Sequence, residues 1–308
     1  MGPSQCLGAQ CMNDSLLDSA RRYAHTHADP LGIARPPIPG VTIIRATQPS
    51  GLEYAISRPI VCLVLQGSKR VTMGNETYAF GAGDSLLITA DVPTVSQITV
   101  ANSDAPYLSF VLDLELALMA ELAVEMNMEL TVQGAPVQVE PTDSEVRDSA
   151  LRLIKLVERP SALPMLAEQR LREMHYWLLV GKHGPAIRQL GRPEGRKHRI
   201  ARAVSLLRGE FAQPLPVERL AAEAGMSLSA FYQHFRSITS LTPLQFQKQL
   251  RLIEARRLMT TQGLLASSAA FEVGYESVQQ FTREYRRMFG LPPGKDADAV
   301  RSAWETMT

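Results

Sequence analysis

The sequence predicts an α+β protein: a small amino-terminal β-barrel with appended helices, linked to an all-α carboxy-terminal domain carrying two helix-turn-helix motifs. Three observations lead there. From Val41 to Leu112 the chain reads as seven short β-rich runs separated by turn residues. Gly274 to Pro293, GYESVQQFTREYRRMFGLPP, repeats a pattern met fifty residues earlier: Ser227 matches Ser277, Phe231 Phe281, Phe235 Tyr285, Arg236 Arg286, Leu241 Leu291 and Pro243 Pro293. Charge is also divided unevenly along a chain of net charge +1, with 15 Lys plus Arg against 7 Asp plus Glu between Arg196 and Lys295, and 17 against 24 elsewhere. Such asymmetry points to a polyanion-binding module joined to an acidic one, with a solvated basic face as the other reading that charge alone leaves open.

At 308 residues and 45% hydrophobic, the chain has material for two cores. It lacks an apolar run of membrane-spanning length, and MGPSQCLGAQCMNDS lacks the charged and apolar regions of a secretory signal, so a cytosolic location without membrane contact is expected. Cys6, Cys11 and Cys62 are too few and too irregularly spaced for a disulfide framework or a four-ligand zinc site, and read as reduced thiols.

Residues 1–35 read as a tail followed by a short helix, SLLDSARRYA, capped by Asp14 or Ser15. His25 and His27 have no further histidine before His175, which argues against a metal pair. Pro36, Pro37 and Pro39 then open the domain expected over residues 36–182. Its runs are VTIIRAT, IVCLVLQ, KRVTM, ETYAF, DSLLITA, VSQITVA and YLSFVLDL, broken at Gly67 among other turn residues and with Gly74-Asn75 suited to a two-residue hairpin turn, which implies a small barrel or sandwich. An enzyme built on such a barrel holds a metal with several histidines and a carboxylate, and no histidine lies between His27 and His175. An interior cup for an organic ligand is the better functional expectation, against a barrel filled by its own side chains. Cys62, inside IVCLVLQ, is the candidate effector contact, although a buried inert thiol is the simpler reading.

Beyond Asp113 the periodicity becomes helical: LELALMAELAVEM, then DSEVRDSALRLIKLV and MLAEQRLREMHYWLLV. Helices this apolar either cover the barrel or pair two copies into a homodimer. GKHGPAIRQLGRPEGRKH, rich in Gly and Pro, reads as a linker over residues 183–198. In the last domain, 199–308, IARAVSLLRGEF precedes VERLAAEA, which stops at Gly225; Ser227 caps LSAFYQHFRSIT, with Phe231, Phe235 and Ile238 inward. Pro243 to Met259 forms one long helix of about 26 Å, enough to set two recognition helices about one DNA turn apart. LLASSAAFEV, Gly274 and Ser277 repeat the device, with Gln280 completing a capping box. On both second helices the polar face lies opposite the aromatics, placing Ser229, Gln233, Gln279 and Arg283 outward.

MSLSAFYQHFRSITSLTPLQFQKQLRLIEARRLM and VGYESVQQFTREYRRMFGLPP resemble the AraC/XylS family of bacterial transcription regulators over about Arg199 to Gly294. PIVCLVLQGSKRVTMG and PYLSFVLDL are similar to the cupin-like amino-terminal domain of one branch of that family. The chain departs from the family pattern at Gln279-Gln280-Phe281, where Ser-x-Phe is usual, and at Pro292-Pro293, where Ser-Pro or Thr-Pro is usual. The resemblance implies double-stranded DNA as partner, read in two successive major grooves by Ser229, Tyr232 and Gln233 of one helix and Gln279, Thr282 and Arg283 of the other. Arg283 suits guanine and the glutamines adenine. Arg236, Lys248, Arg286 and Arg287, with amides capped by Ser227 and Ser277, are expected to hold phosphates. The resemblance further implies contact with RNA polymerase and no enzymatic activity, cofactor or metal. A small organic effector is the expected signal, with control by protein contact as the alternative. The rival from another class, a metal cupin or a DNA-repair methyltransferase, lacks its histidines or its zinc-binding cysteine cluster.

Overall fold

The computed structural model describes residues 15–74, 76–127, 136–188 and 195–305. The expected tail with Cys6 and Cys11, Asn75 of the tight turn and the middle of the expected linker lie outside the described residues.

The β region is a sandwich of two antiparallel sheets, not a closed barrel, within the expected α+β class. One sheet has the order β1 (Ile33–Ala34), β2 (Val41–Ala46), β9 (Tyr107–Asp113), β4 (Ile60–Gln66), β7 (Asp84–Ile88), β10 (Val137–Pro141). The other runs β3 (Glu53–Ser57), β8 (Val92–Val100), β5 (Ser68–Met73), β6 (Glu76–Gly81). No ladder joins them among the described residues, so each sheet keeps its own edge strands. The chain leaves β4 for β5 at Gly67, whose φ of +78° and closeness to the Val100 carbonyl exclude a side chain. Of the three strands absent from the sequence reading, β1 has two residues, β10 follows a helix, and β3 mixes small and polar residues.

The six-stranded sheet is buried on both faces, and for that reason IVCLVLQ and YLSFVLDL run apolar without alternating. Ile43, Phe110 and Leu63 lie side by side on its outer face, under α1 (Leu16–His27), α3 (Ser144–Ile154) and α4 (Leu163–Val180). Cys62, Val64 and Tyr107 face the second sheet. Ser15 caps α1 by accepting from the Asp18 N–H at 3.1 Å. A further helix, α2 (Leu116–Glu125), buries Met119 and Leu122. His175 is used structurally: Nε2 accepts from the Glu115 N–H at 3.1 Å while Nδ1 faces the Leu171 carbonyl at 2.7 Å.

The expected linker is shorter than its composition implied. Gly184–Arg188 forms α5, which buries Ala186 and Ile187, and His183 reaches Ser85 Oγ at 2.8 Å. Gly184 lies where a Cβ would strike the Leu179 carbonyl, so this glycine permits close packing rather than flexibility.

The last domain contains α6 (Arg196–Glu210), α7 (Val217–Glu223), α8 (Leu228–Thr239), α9 (Pro243–Thr261), α10 (Ala266–Glu272), α11 (Val278–Phe289) and α12 (Pro293–Glu305). It has two small cores. Ile200, Val204, Leu220, Phe231, Phe235 and Phe246 form the first; Leu252, Ala255, Ala269, Val273, Phe281 and Tyr285 form the second. The long helix α9 therefore belongs to both units. Its start carries a complete capping box, Thr242 with Gln245. The box expected at Ser277 is half formed, because Gln280 turns its amide to Glu284 at 3.3 Å.

Both units dock on one edge strand of the sandwich. Tyr54 of β3 packs edge-on against Phe289, with ring centroids 4.8 Å apart, and Ile56 joins the first core. Arg208 of α6 pairs with Asp91 at 2.7 Å and donates to the Ile56 carbonyl at 2.9 Å.

Candidate nucleic-acid interface

Each unit presents its second helix through the same local chemistry. Gly225 and Gly274 turn the chain with φ of +58° and +85°, values that favour glycine. Ser227 Oγ then accepts from the Ala230 N–H at 3.4 Å, and Ser277 Oγ from the Gln280 N–H at 3.3 Å. Phe231 and Phe235 of α8, and Phe281 and Tyr285 of α11, are fully buried, which fixes the rotation of both helices about their axes.

The opposite faces are open. Ser229, Tyr232, Gln233 and Arg236 are exposed on α8, as are Gln279, Arg283, Arg286 and Arg287 on α11. Thr282 is half-buried and donates its hydroxyl to the Val278 carbonyl at 2.9 Å, leaving its methyl group and oxygen lone pairs for an outside partner. Val278, Gln279, Thr282, Arg283 and Arg286 line a single shallow depression. Sequence reasoning missed Val278, whose apolar side chain gave no signal of a polar site.

Charge on these faces is left uncompensated. Arg219, Arg256, Arg257 and Arg301 are held by carboxylates at 2.6, 2.7, 2.7 and 2.5 Å. Arg236, Arg283, Arg286 and Arg287 make no ion pair among the described residues. Lys248 departs from its expected phosphate role. Its Nζ lies 2.8 Å from Glu284 Oε1, a carboxylate on the inner side of α11 that also accepts from Tyr275 at 2.9 Å. Burial pushes the Glu284 carboxyl up, but its hydrogen bonds from Lys248, Tyr275 and Gln280 outweigh that and hold it below its ordinary value.

Cys62 is buried between the sheets. Burial pushes its thiol up against the opposing pull of Lys69, Ser109 and Tyr107, so the protonated, unreactive form dominates at neutral pH. A small recess of about 20 Å³, room for about one water, lies instead between the domains, lined by Pro59, Thr89, Asp91, Lys197, His198 and Val204 among others. Lys197 donates to Thr89 Oγ1 at 3.2 Å, and its burial lowers the ammonium from 10.5 to about 8. No group of three or more His, Cys, Asp or Glu among the described residues is placed to hold a metal ion, and no described helix is long and apolar enough to cross a membrane.

Comparison with known proteins covers both domains. The family described as AraC-type transcriptional regulator N-terminus matches residues 37–186, and a helix-turn-helix domain family matches residues 220–298. The virulence regulon transcriptional activator VirF of Yersinia enterocolitica is 27% identical over 152 residues, 48% of this chain and 54% of VirF. The RCS-specific transcriptional activator RclR of Escherichia coli is 38% identical over 85 residues, 28% of this chain and 30% of RclR. The chain thus spans about half the length, or less, of these curated relatives. ToxT from Vibrio cholerae, in a crystal structure with bound unsaturated fatty acid, superposes with a TM-score of 0.56 at 12% identity, covering 84% of this chain and 93% of ToxT. That likeness extends the shared fold across the sandwich and the helical domain together. The chain belongs to the AraC/XylS family of transcription regulators, in the branch with an AraC-type amino-terminal domain.

Proposed function

We propose that this chain is a sequence-specific transcription activator that reads two successive major grooves and answers to a small organic acid. The observation that carries the reading is the pair of open helix faces on which Arg236, Arg283, Arg286 and Arg287 stand exposed without an ion pair among the described residues, while Arg219, Arg256, Arg257 and Arg301 of the same domain are held by carboxylates. Ser229, Tyr232, Gln233, Gln279, Thr282 and Arg283 read base edges. Arg236, Arg286, Arg287 and the amides at the Ser227 and Ser277 caps hold phosphates. Lys248 is withdrawn from that set by Glu284. Activation is supported by the relatives, which are described as activators; contact with RNA polymerase is our reading of how it would occur. Homodimerisation falls to α2 and α4, where Val124, Met165, Tyr176 and Val180 stand exposed.

Selection of duplexes from a randomised pool tests the DNA reading. Two elements about one helical turn apart are expected, with affinity falling at least a hundredfold, roughly, between about 50 and 200 mM salt. Selection of no sequence, or a flat salt response, would sink it.

Our candidate cation for the acid is Lys197, in a recess also lined by Thr89, Asp91 and His198 that must open to admit a ligand; the fatty acid bound by ToxT is of the same chemical class. A depressed lysine binds its proton more weakly in the folded than in the unfolded chain, so stability should rise with pH between about 8 and 10.5. Lys197→Met is therefore expected to stabilise the chain by about 1–2 kcal/mol at pH 7, an advantage that fades above pH 8 and is gone near 10.5. Decanoate should raise the melting temperature of the parent but not of Lys197→Met. Equal shifts in both would place the ligand elsewhere.

A further inference from the structure

The two helix-turn-helix units have separate apolar cores, yet their backbones meet. Phe211, Ala212 and Gln213 form the link from α6 to α7 in the first unit, and Gly274 is the turn before α11 in the second. A Cβ at Gly274 would collide with the Ala212 carbonyl. Over this junction stand two side chains of α9, one turn apart. Gln247 Nε2 donates to the Phe211 carbonyl at 3.0 Å and the Gln213 carbonyl at 2.8 Å. Arg251 spans both units: Nε donates to the Phe211 carbonyl at 2.7 Å, Nη2 to those of Ala212 and Gln213 at 3.2 Å, and Nη1 to Gly274 at 2.8 Å.

These bonds satisfy carbonyls at and beyond the end of α6 that have no partner within the helix. They also differ in kind from the apolar contacts on either side. Burial of apolar surface is non-directional and tolerates sliding, whereas hydrogen bonds weaken steeply off axis. A planar guanidinium with five N–H donors in a fixed fork holds four carbonyls from two units at one angle; a lysine ammonium presents its donors from a single atom. The guanidinium also lies 5.9 Å from the centre of the Tyr275 ring, next to the second turn.

We propose that Arg251 is a positioning residue that sets the rotation and spacing of the two recognition helices, and thereby the distance between DNA elements that the protein accepts. The inference rests on the reading of α8 and α11 as base-reading helices. The length of α9 fixes how far apart the units stand, and the Arg251 junction fixes how they are turned. One base pair inserted between the elements moves the second by about 3.4 Å and turns it by about 35°, so a rigid junction penalises it and a loosened one follows it.

The test uses the full chain, a duplex it has selected from a randomised pool, and derivatives of that duplex with one base pair inserted or deleted between the two elements. The parent is expected to lose about tenfold or more on either derivative. In Arg251→Lys, which keeps the charge, the penalty should shrink to about threefold or less, whatever happens to absolute affinity. Loss of general stability lowers affinity for all three duplexes alike and does not move this ratio. Gln247→Leu, lacking two bonds to the same link, should shift the ratio in the same direction and carries the test if Arg251→Lys does not fold. A folded variant that keeps the tenfold penalty overturns the register role alone. A parent that selects only one element overturns it together with the two-groove reading.

Discussion

Arg283→Ala is expected to cut the preference for the selected duplex over random DNA by about tenfold to a hundredfold, while binding to random DNA changes little. The side chain is exposed on α11, shares a depression with Gln279 and Thr282, and makes no ion pair among the described residues. Its guanidinium is therefore not held by a protein carboxylate and can meet guanine O6 and N7 in bidentate fashion. A phosphate-binding arginine behaves differently: its loss weakens all sequences about equally and lowers the salt slope by about one. Arg287→Ala supplies that comparison. Competition titration at fixed salt reads both, and an Arg283→Ala protein with undiminished discrimination would remove Arg283 from the base-reading set.

Asp296→Ala should cost about 3–5 kcal/mol, a fall in melting temperature of about 12–40 °C if the carboxy-terminal unit of about 100 residues melts by itself. Asp296 lies on α12 and is 5% exposed. It receives Arg256 through Nε at 2.7 Å and Nη2 at 3.1 Å, and the Tyr285 hydroxyl at 2.7 Å. Removing the carboxylate leaves a mostly buried guanidinium without its counter-ion and a buried hydroxyl without its acceptor. Tyr285 is the aromatic that fixes the rotation of α11, so the loss should reach the DNA face as well. Asp296→Asn, which keeps an acceptor for one partner, should fall between. A calorimetric melt of Asp296→Ala within a degree of the parent would refute the assignment.

The parts legible in the sequence were those set by neighbours in the chain. The echo of Phe231 and Phe235 in Phe281 and Tyr285 gave both helix-turn-helix units, because an i, i+4 aromatic pair after a Ser cap is a local pattern. Exposure of Ser229, Gln233, Gln279 and Arg283 followed from the same periodicity. What stayed hidden depends on partners far along the chain. Lys248 looked free until Glu284, thirty-six residues on, was found beside it. Arg251 resembled any solvated arginine, because its partners are backbone carbonyls that no side-chain pattern reports. The turn signals around Gly67 marked a change of direction, but whether strands close into a barrel or divide into two sheets depends on pairings that turn residues do not encode. Glycine and proline in GKHGPAIRQLGRPEGRKH suggested flexibility where Gly184 serves close packing.

The docking of Tyr54 and Ile56 bears on how this chain can be divided. β3 is an edge strand, and an uncovered edge with apolar side chains is a template for unwanted pairing. The helical domain covers those side chains with Phe289 and its first core, and Arg208 neutralises Asp91 beside them. Cutting between the domains would uncover a strand prone to self-association on one fragment and strip Arg208 of its partner on the other. The helical domain thus shields the apolar side chains of a sandwich edge strand, and separating the domains would expose them.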